Sequence, residues 1–307
     1  MIQYKKSYCT DPVKTRDVLR AFCAKSELNG VSITKENNMI QDIEINSMED
    51  LFHLVSEQQY REDLGRHRNL FIYRGEPDAS FSLSTSLRRN CKEKSRFLEP
   101  PMLLNFTKYA VLEEPSIQDS VWNQMILGQQ HGLPTRLLDW SFSPMIALHF
   151  ATTEDHLQKM DERDSVVWRI DIHELHDMLP EKYRAIINKY NTTVFSESTL
   201  REVCSSLEQY DEDMKDLSMV IIEPPSLDRR IINQYSFFSI IPSDMVNIEA
   251  FLRERTKLTA RFIIKKELRW QIRDMLDHQN ITERIVYPGL DGLSKWLGRH
   301  YYVRSDI

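Results

Sequence analysis

Glycine is scarce in this sequence, 8 residues in 307, and proline is limited to 12. So few flexible positions exclude collagen-like and low-complexity arrays, and no internal repeat is present. Four cysteines, Cys9, Cys23, Cys91 and Cys204, lie far apart. They lack the paired spacing of zinc ribbons and redox motifs, and read as reduced thiols of a cytoplasmic protein. No apolar run approaches the roughly 18 residues that span a bilayer, and the polar start Met1-Ile-Gln-Tyr-Lys-Lys is unlike a secretory signal. The expectation is a soluble protein with no membrane partner. Positive charge is not in excess: the formal net charge is -6, so any polyanion must be bound locally. Gly-x-Ser-x-Gly, P-loop and His-Glu-x-x-His patterns are absent. His173 and His176 share a helix face without a third ligand, so no metal is expected.

What is present is an ordinary globular composition, 41% hydrophobic, 28% charged and 10% aromatic. Residues 1–46 read as an N-terminal extension, with a short helix over 17–25 and a polar stretch over 30–38. The main domain is expected at 47–307, opening where Ser47 caps a helix and Asp50 completes a capping box. Asn69-Leu-Phe-Ile-Tyr73 reads as a buried strand that ends at Arg74-Gly75 in a turn. Residues 80–86 alternate as an extended segment, and 102–114 and 119–127 read as helices. Residues 133–140 form a loop entered through Pro134, followed by a helix with Pro144 at its first position. Strands are expected at 165–172, 219–222 and 236–241, and helices at 175–190, 196–217 and 264–276. Short strands interleaved irregularly with helices indicate a mixed α+β fold.

Two segments concentrate polar chemistry. In Tyr73-Arg74-Gly75-Glu76 a guanidinium stands where a glycine would let a phosphate or ribose approach the backbone; a structural ion pair is the alternative. Between Gly128 and Trp140 lie Gln129, Gln130, His131, Thr135, Arg136 and Asp139, in a stretch rich in loop signals. Arg136 and Asp139 could instead neutralise each other in the core.

The motifs Tyr73-Arg74-Gly75, Gly132-Leu-Pro-Thr-Arg-Leu-Leu-Asp-Trp140, Ser143-Pro144 and 147–151 together resemble the FRG domain family. Residues 230–238 and Tyr287-Pro-Gly-Leu-Asp-Gly-Leu293 resemble its later segments, so the likeness spans about 47–298. One departure stands out: the histidine of Gln129-Gln130-His131-Gly132 is displaced by one position.

The order of these motifs is similar to that of ADP-ribosyltransferases. That resemblance implies an ADP-ribosyltransferase-like sheet core with flanking helices and NAD as substrate. It also implies transfer to a protein or nucleic acid, as in a toxin or antiphage defence component held in check by an antitoxin or chaperone partner. Under it, Arg74, Asp139 and Gln234 are the catalytic candidates. Arg74, Gly75, Ser84, Thr85, Ser86, Gln129, His131, Thr135 and Arg136 would bind NAD, with Ser84 to Ser86 as a strand under the nicotinamide. The same serine–threonine run also reads as a turn or helix cap. Glu76 is a second source of the negative charge the reaction needs, Glu223 a third, and Gln234 is expected on a strand leading to Phe237 and Phe238. A non-catalytic module that binds a nucleotide or a nucleic-acid end is the alternative.

Overall fold

In the computed structural model, residues 40–304 are described, apart from 58, 59, 63, 69, 216, 217 and 227. The expected helix over 17–25, Cys9 and Cys23 lie outside the described residues, as does Asn69. Nine strands follow in chain order: β1 (Gln41–Ile45), β2 (Tyr60–Arg61), β3 (Arg66–His67), β4 (Phe71–Glu76), β5 (Leu137–Ser141), β6 (Ser165–Asp171), β7 (Val220–Ile222), β8 (Ser236–Ile240) and β9 (Ala260–Ile264). β2 and β3 form a minimal hairpin; the other seven make one sheet in the order β1-β9-β6-β4-β5-β8-β7. All neighbours in it are antiparallel except β1 and β9. The class is mixed α and β, as expected.

β6 is buried at every position, with Val166, Trp168 and Ile170 in one apolar cluster and Val167 in another. A strand covered on both faces needs apolar side chains in both phases of the two-residue alternation. A third cluster, around Trp122, Tyr210 and Phe238, packs under β5, β8 and β7. Among the described residues, no helix is long and apolar enough to cross a membrane.

Joints in the sheet are unequal. β4 pairs with β6 through six residue pairs and β5 with β8 through five, whereas β4 meets β5 only at Tyr73 and Ser141. Beyond that pair the two strands separate, and the sheet opens between its β1-β9-β6-β4 half and its β5-β8-β7 half.

Several expectations change. The folded unit starts before residue 47, because β1 pairs with β9. Ser47 caps the Met48–Ser56 helix as expected, but Asp50 accepts from the Asn46 amide rather than from that of Ser47. β4 runs through Arg74 and Gly75 to Glu76, so the turn comes later than the sequence suggested. Residues 137–141, expected as loop, are a strand. Residues 80–86 are not a strand: Thr85 caps the Ser86–Cys91 helix by accepting from the Arg88 amide, which fulfils the capping alternative. The long helices over 175–190 and 196–217 are each broken, the first at Pro180 and the second around Cys204 and Ser205. Helix at 264–276 begins instead at Arg269, preceded by β9.

Candidate functional site

The opening between β4 and β5 is a cleft of about 390 Å³, within the range of small-molecule sites, roughly 300–1,000 Å³. Arg74 is among the residues that line it. Alternation along β4 puts Arg74 and Glu76 on one face and Tyr73 and Gly75 on the other. Arg74 Nε donates to Glu76 Oε1 at 2.7 Å, and Nη2 lies 2.7 Å from the same oxygen. Nη1 donates to the Asp139 backbone carbonyl at 2.8 Å and stands 3.6 Å from Asp139 Oδ2. The guanidinium thus bridges the gap where ladder hydrogen bonds between β4 and β5 have ceased. Burial works against its charge, but Glu76 and Asp139 outweigh that cost and raise its pKa above the ordinary arginine value.

Asp139 is the open member of this group: its side chain is 57% exposed, against 15% for Arg74 and 17% for Glu76. A relay of polar contacts fixes its carboxylate. Gln129 Nε2 donates to Asp139 Oδ2 at 2.9 Å, and Gln129 Oε1 accepts from Thr135 Oγ1 at 2.6 Å. Thr135 is buried and its amide donates to Ser86 Oγ at 3.1 Å. Ser86 and Thr135 therefore reach the cleft only through Gln129. Asn and Gln amide orientations follow from such partners, and here both ends of Gln129 are satisfied.

Gly75 lines the cleft and has a packing role as well. A Cβ there would lie 1.8 Å from the Ala147 carbonyl oxygen and 2.6 Å from the Ala151 amide. Glycine is required because the Pro144–Ala151 helix, capped by Ser143, presses its backbone against β4. That contact fixes the helix whose end delivers Phe150, Thr153, Glu154 and Asp155 to the lining of the cleft.

Gln234 lines the cleft but ends the Arg229–Gln234 helix rather than sitting on a strand. Its amide nitrogen donates to the Val286 carbonyl at 3.1 Å, and its backbone carbonyl accepts from Ser141 Oγ at 2.7 Å. Neighbouring Asn233 donates to the Ile285 carbonyl at 2.6 Å. One turn earlier, Arg230 reaches the cleft with its guanidinium 5.2 Å from the centre of the Tyr287 ring. Among the described residues it makes no ion pair, which leaves it the available cation of the cleft. Sequence reasoning did not assign Arg230, Glu154 or Asp155; Arg230's place beside the late Gln was the one available signal.

Tyr287 rests edge-on against Phe150, 6.2 Å between ring centres, above a buried charged network. Arg299 and Arg273 both bind Glu283, and Arg299 also binds Asp277. Burial raises the cost of the Glu283 charge, but the two guanidinium groups overcome it and hold its pKa down at about 2. His149 is fully buried with Nδ1 2.9 Å from Arg273 Nη1. Burial and then the Arg273 charge push its pKa down to about 3, so the ring is neutral.

The remaining sequence candidates lie elsewhere. Arg136 turns away from the cleft: it is 4% exposed and pairs with Glu99 and, at 2.6 Å, with Asp211. It neutralises those two acids rather than Asp139. Ser84 and Thr85 border a small crevice beside Arg136. His131 is an exposed residue at the end of the Val121–Gln130 helix, where its amide closes the last turn on Leu127 and Gly128. Glu223 is exposed beyond β7 and does not line the cleft. Among the described residues no cluster of His, Cys, Asp and Glu could hold a metal ion.

The cleft therefore carries four carboxylates, Glu76, Asp139, Glu154 and Asp155, against two guanidinium groups, Arg74 and Arg230. Such a surface favours a ligand that brings or develops positive charge near Asp139, with an anionic portion placed at Arg230. Comparison with known families matches residues 69–160 to the FRG domain, a stretch that contains Arg74, Gly75, Gln129 and Asp139 but neither Arg230 nor Gln234. No curated protein and no solved structure matched the chain.

Proposed function

With an FRG domain at residues 69–160 as the premise, we propose that the cleft binds NAD and breaks its nicotinamide–ribose bond, passing the ADP-ribosyl group to a macromolecular acceptor. The observation that carries this reading is the exposed Asp139 carboxylate held in place by Arg74 and Gln129. When the glycosidic bond breaks, nicotinamide leaves with the bonding electron pair and becomes neutral, and the positive charge passes to the ribose. A fixed carboxylate beside that carbon lowers the energy of the charged state. The acceptor's oxygen or nitrogen then supplies a lone pair to the same carbon and gives up its proton to a base.

Roles follow from the geometry. Arg74 is a positioning residue, because its donors already serve Glu76 and Asp139. Arg230 is the group for the diphosphate, being the cation without an ion-pair partner among the described residues. Gln234 has its amide nitrogen on Val286, leaving its carbonyl oxygen for a ribose hydroxyl. Acceptor class, a setting in toxin action or antiphage defence, and an antitoxin or chaperone partner belong to the same proposal.

A non-catalytic nucleotide or nucleic-acid module is the second reading, favoured by the engagement of Arg74 with its own neighbours. Nicotinamide release from NAD, with and without cell extract, separates the two. The catalytic reading expects release by the wild-type chain and a fall of about 10²–10³-fold for Asp139→Asn. Binding of NAD without release would establish the module.

A further inference from the structure

The Ser95–Ala110 helix is inverted in polarity. Its inward ridge carries Ser95, Glu99, Leu103 and Thr107, all buried. Its outward ridge carries Phe97, Leu98, Pro101, Leu104 and, just past the helix, Leu112; Phe97 is 78% exposed, Leu104 70% and Leu112 87%. A surface helix normally turns its apolar stripe inward and its polar face to water. The inward polarity has a cause, since Glu99 is drawn in to pair with Arg136. Nothing inside the described chain explains the outward leucines and phenylalanine, and an apolar ridge of this kind, interrupted by exposed Asn105 and Lys108, marks a contact surface. On one flank Met102, Phe106, Tyr109 and Leu133 line an open apolar groove that can receive side chains from a facing helix.

Charge along this helix identifies the occupant. Lys92, Lys94 and Arg96 outnumber Glu93 among the exposed charges at its start, with Arg96 3.5 Å from Asp244, while exposed Glu113 and then Glu114 follow its end, one turn past exposed Lys108. We propose that the ridge pairs with the same ridge of a second copy of this chain, antiparallel about a two-fold axis near residues 104 and 105. An isologous contact of this kind sets residue i against j and j against i. With the axis there, Phe97 faces Leu112 of the partner subunit and Leu104 lies beside Leu104 of the partner subunit. The basic start of each helix then meets the acidic end of the other, with Arg96 opposite Glu113 of the partner subunit. A parallel pairing would set like charges together at both ends. The helix is 16 residues, about 24 Å long, so the contact falls below a standard interface of roughly 1,600 Å². The dimer should accordingly form in the micromolar range.

Sedimentation velocity of the full chain over a micromolar concentration series tests this, without substrate and independently of the cleft. The wild type should pass from monomer to dimer. Leu104→Glu and Leu112→Glu, both at exposed positions, should keep the wild-type melting temperature and weaken dimerisation by at least about 10-fold. Arg96→Glu or Glu113→Arg alone should weaken it, and the two combined in one chain should restore it. Leu104→Cys should cross-link to a covalent dimer on mild oxidation, which the wild type should not. A wild type that stays monomeric, a Leu104→Glu chain that dimerises unchanged, or a double charge reversal that restores nothing would each overturn the proposal.

Discussion

Arg136 and Arg74 are held by the same chemistry in two different settings. Each guanidinium engages two acidic residues, yet the Arg136 group is sealed, with side-chain exposures of 5%, 2% and 5% for Arg136, Glu99 and Asp211. The Arg74 group is graded from 15% and 17% at Arg74 and Glu76 to 57% at Asp139. Burial opposes both arginine charges, and in both cases the carboxylates more than offset it. What differs is where the sheet surrounds them. Arg136 precedes a strand fully paired with β8, whereas Arg74 lies where β4 has parted from β5. A closed ion cluster serves folding, while an open one at a split in a sheet leaves a carboxylate facing the cleft.

Breaking the closed cluster should have the largest effect on stability. Arg136→Ala leaves Glu99 and Asp211 buried without their cation and is expected to cost about 3–5 kcal/mol, read by chemical denaturation. A melting temperature within a degree or two of wild type would remove the distinction between the clusters.

Gly75→Ala comes next, at about 1–3 kcal/mol or more, because the new methyl meets the Ala147 carbonyl. Loss of stability here, with activity per folded molecule retained, would show that this glycine serves helix packing rather than ligand approach.

Acid sensitivity offers a graded test. His149 is held neutral down to about pH 3 and His176, by burial and then by the charge of His173, down to about pH 4. Both folded values lie below the unfolded value of about 6.5, so the unfolded chain binds more protons between them and stability falls as pH drops below 6.5. Each should contribute up to about 1.4 kcal/mol per pH unit in that window. Glu283, lowered to about 2, adds a further loss of stability below its unfolded value of about 4.5. His149→Gln, measured by denaturation between pH 7 and 5, should flatten the slope; an unchanged slope would assign it to other groups.

Asp139→Asn should have the smallest structural effect, within about 1 kcal/mol, because the carboxylate is largely exposed. A loss above about 3 kcal/mol would place Asp139 with the sealed cluster.

The comparison also explains what could be read from the sequence. Helix starts were legible at Ser47, from a capping side chain three residues before its target amide, and at Pro144, from a proline at the first helical position; the cap at Thr85 was one alternative beside an extended segment. The strand expected over 69–73 was legible from its apolar and aromatic side chains, although β4 runs on to Glu76. β5 was not, because Pro134 and Asp139 gave a strand the look of a loop, and Arg261 likewise interrupts the apolar run of β9. Arg74 and Asp139, both catalytic candidates from the sequence, lie side by side in the fold. Arg136 was grouped with them by proximity in the chain, although its partners lie 37 and 75 residues away and carry no local pattern. Arg230 and Gln234 enter the cleft through a helix anchored to 285–286, a tertiary contact that no spacing announces.

The most direct test measures nicotinamide release from NAD by three chains side by side: wild type, Asp139→Asn and Arg230→Ala, each checked for a native melting temperature. Release by the wild type is expected, with both variants folded, Asp139→Asn slowed about 10²–10³-fold at saturating NAD and Arg230→Ala impaired chiefly through weaker binding of NAD. Equal release by wild type and Asp139→Asn, or none by the wild type with any extract, would contradict the account.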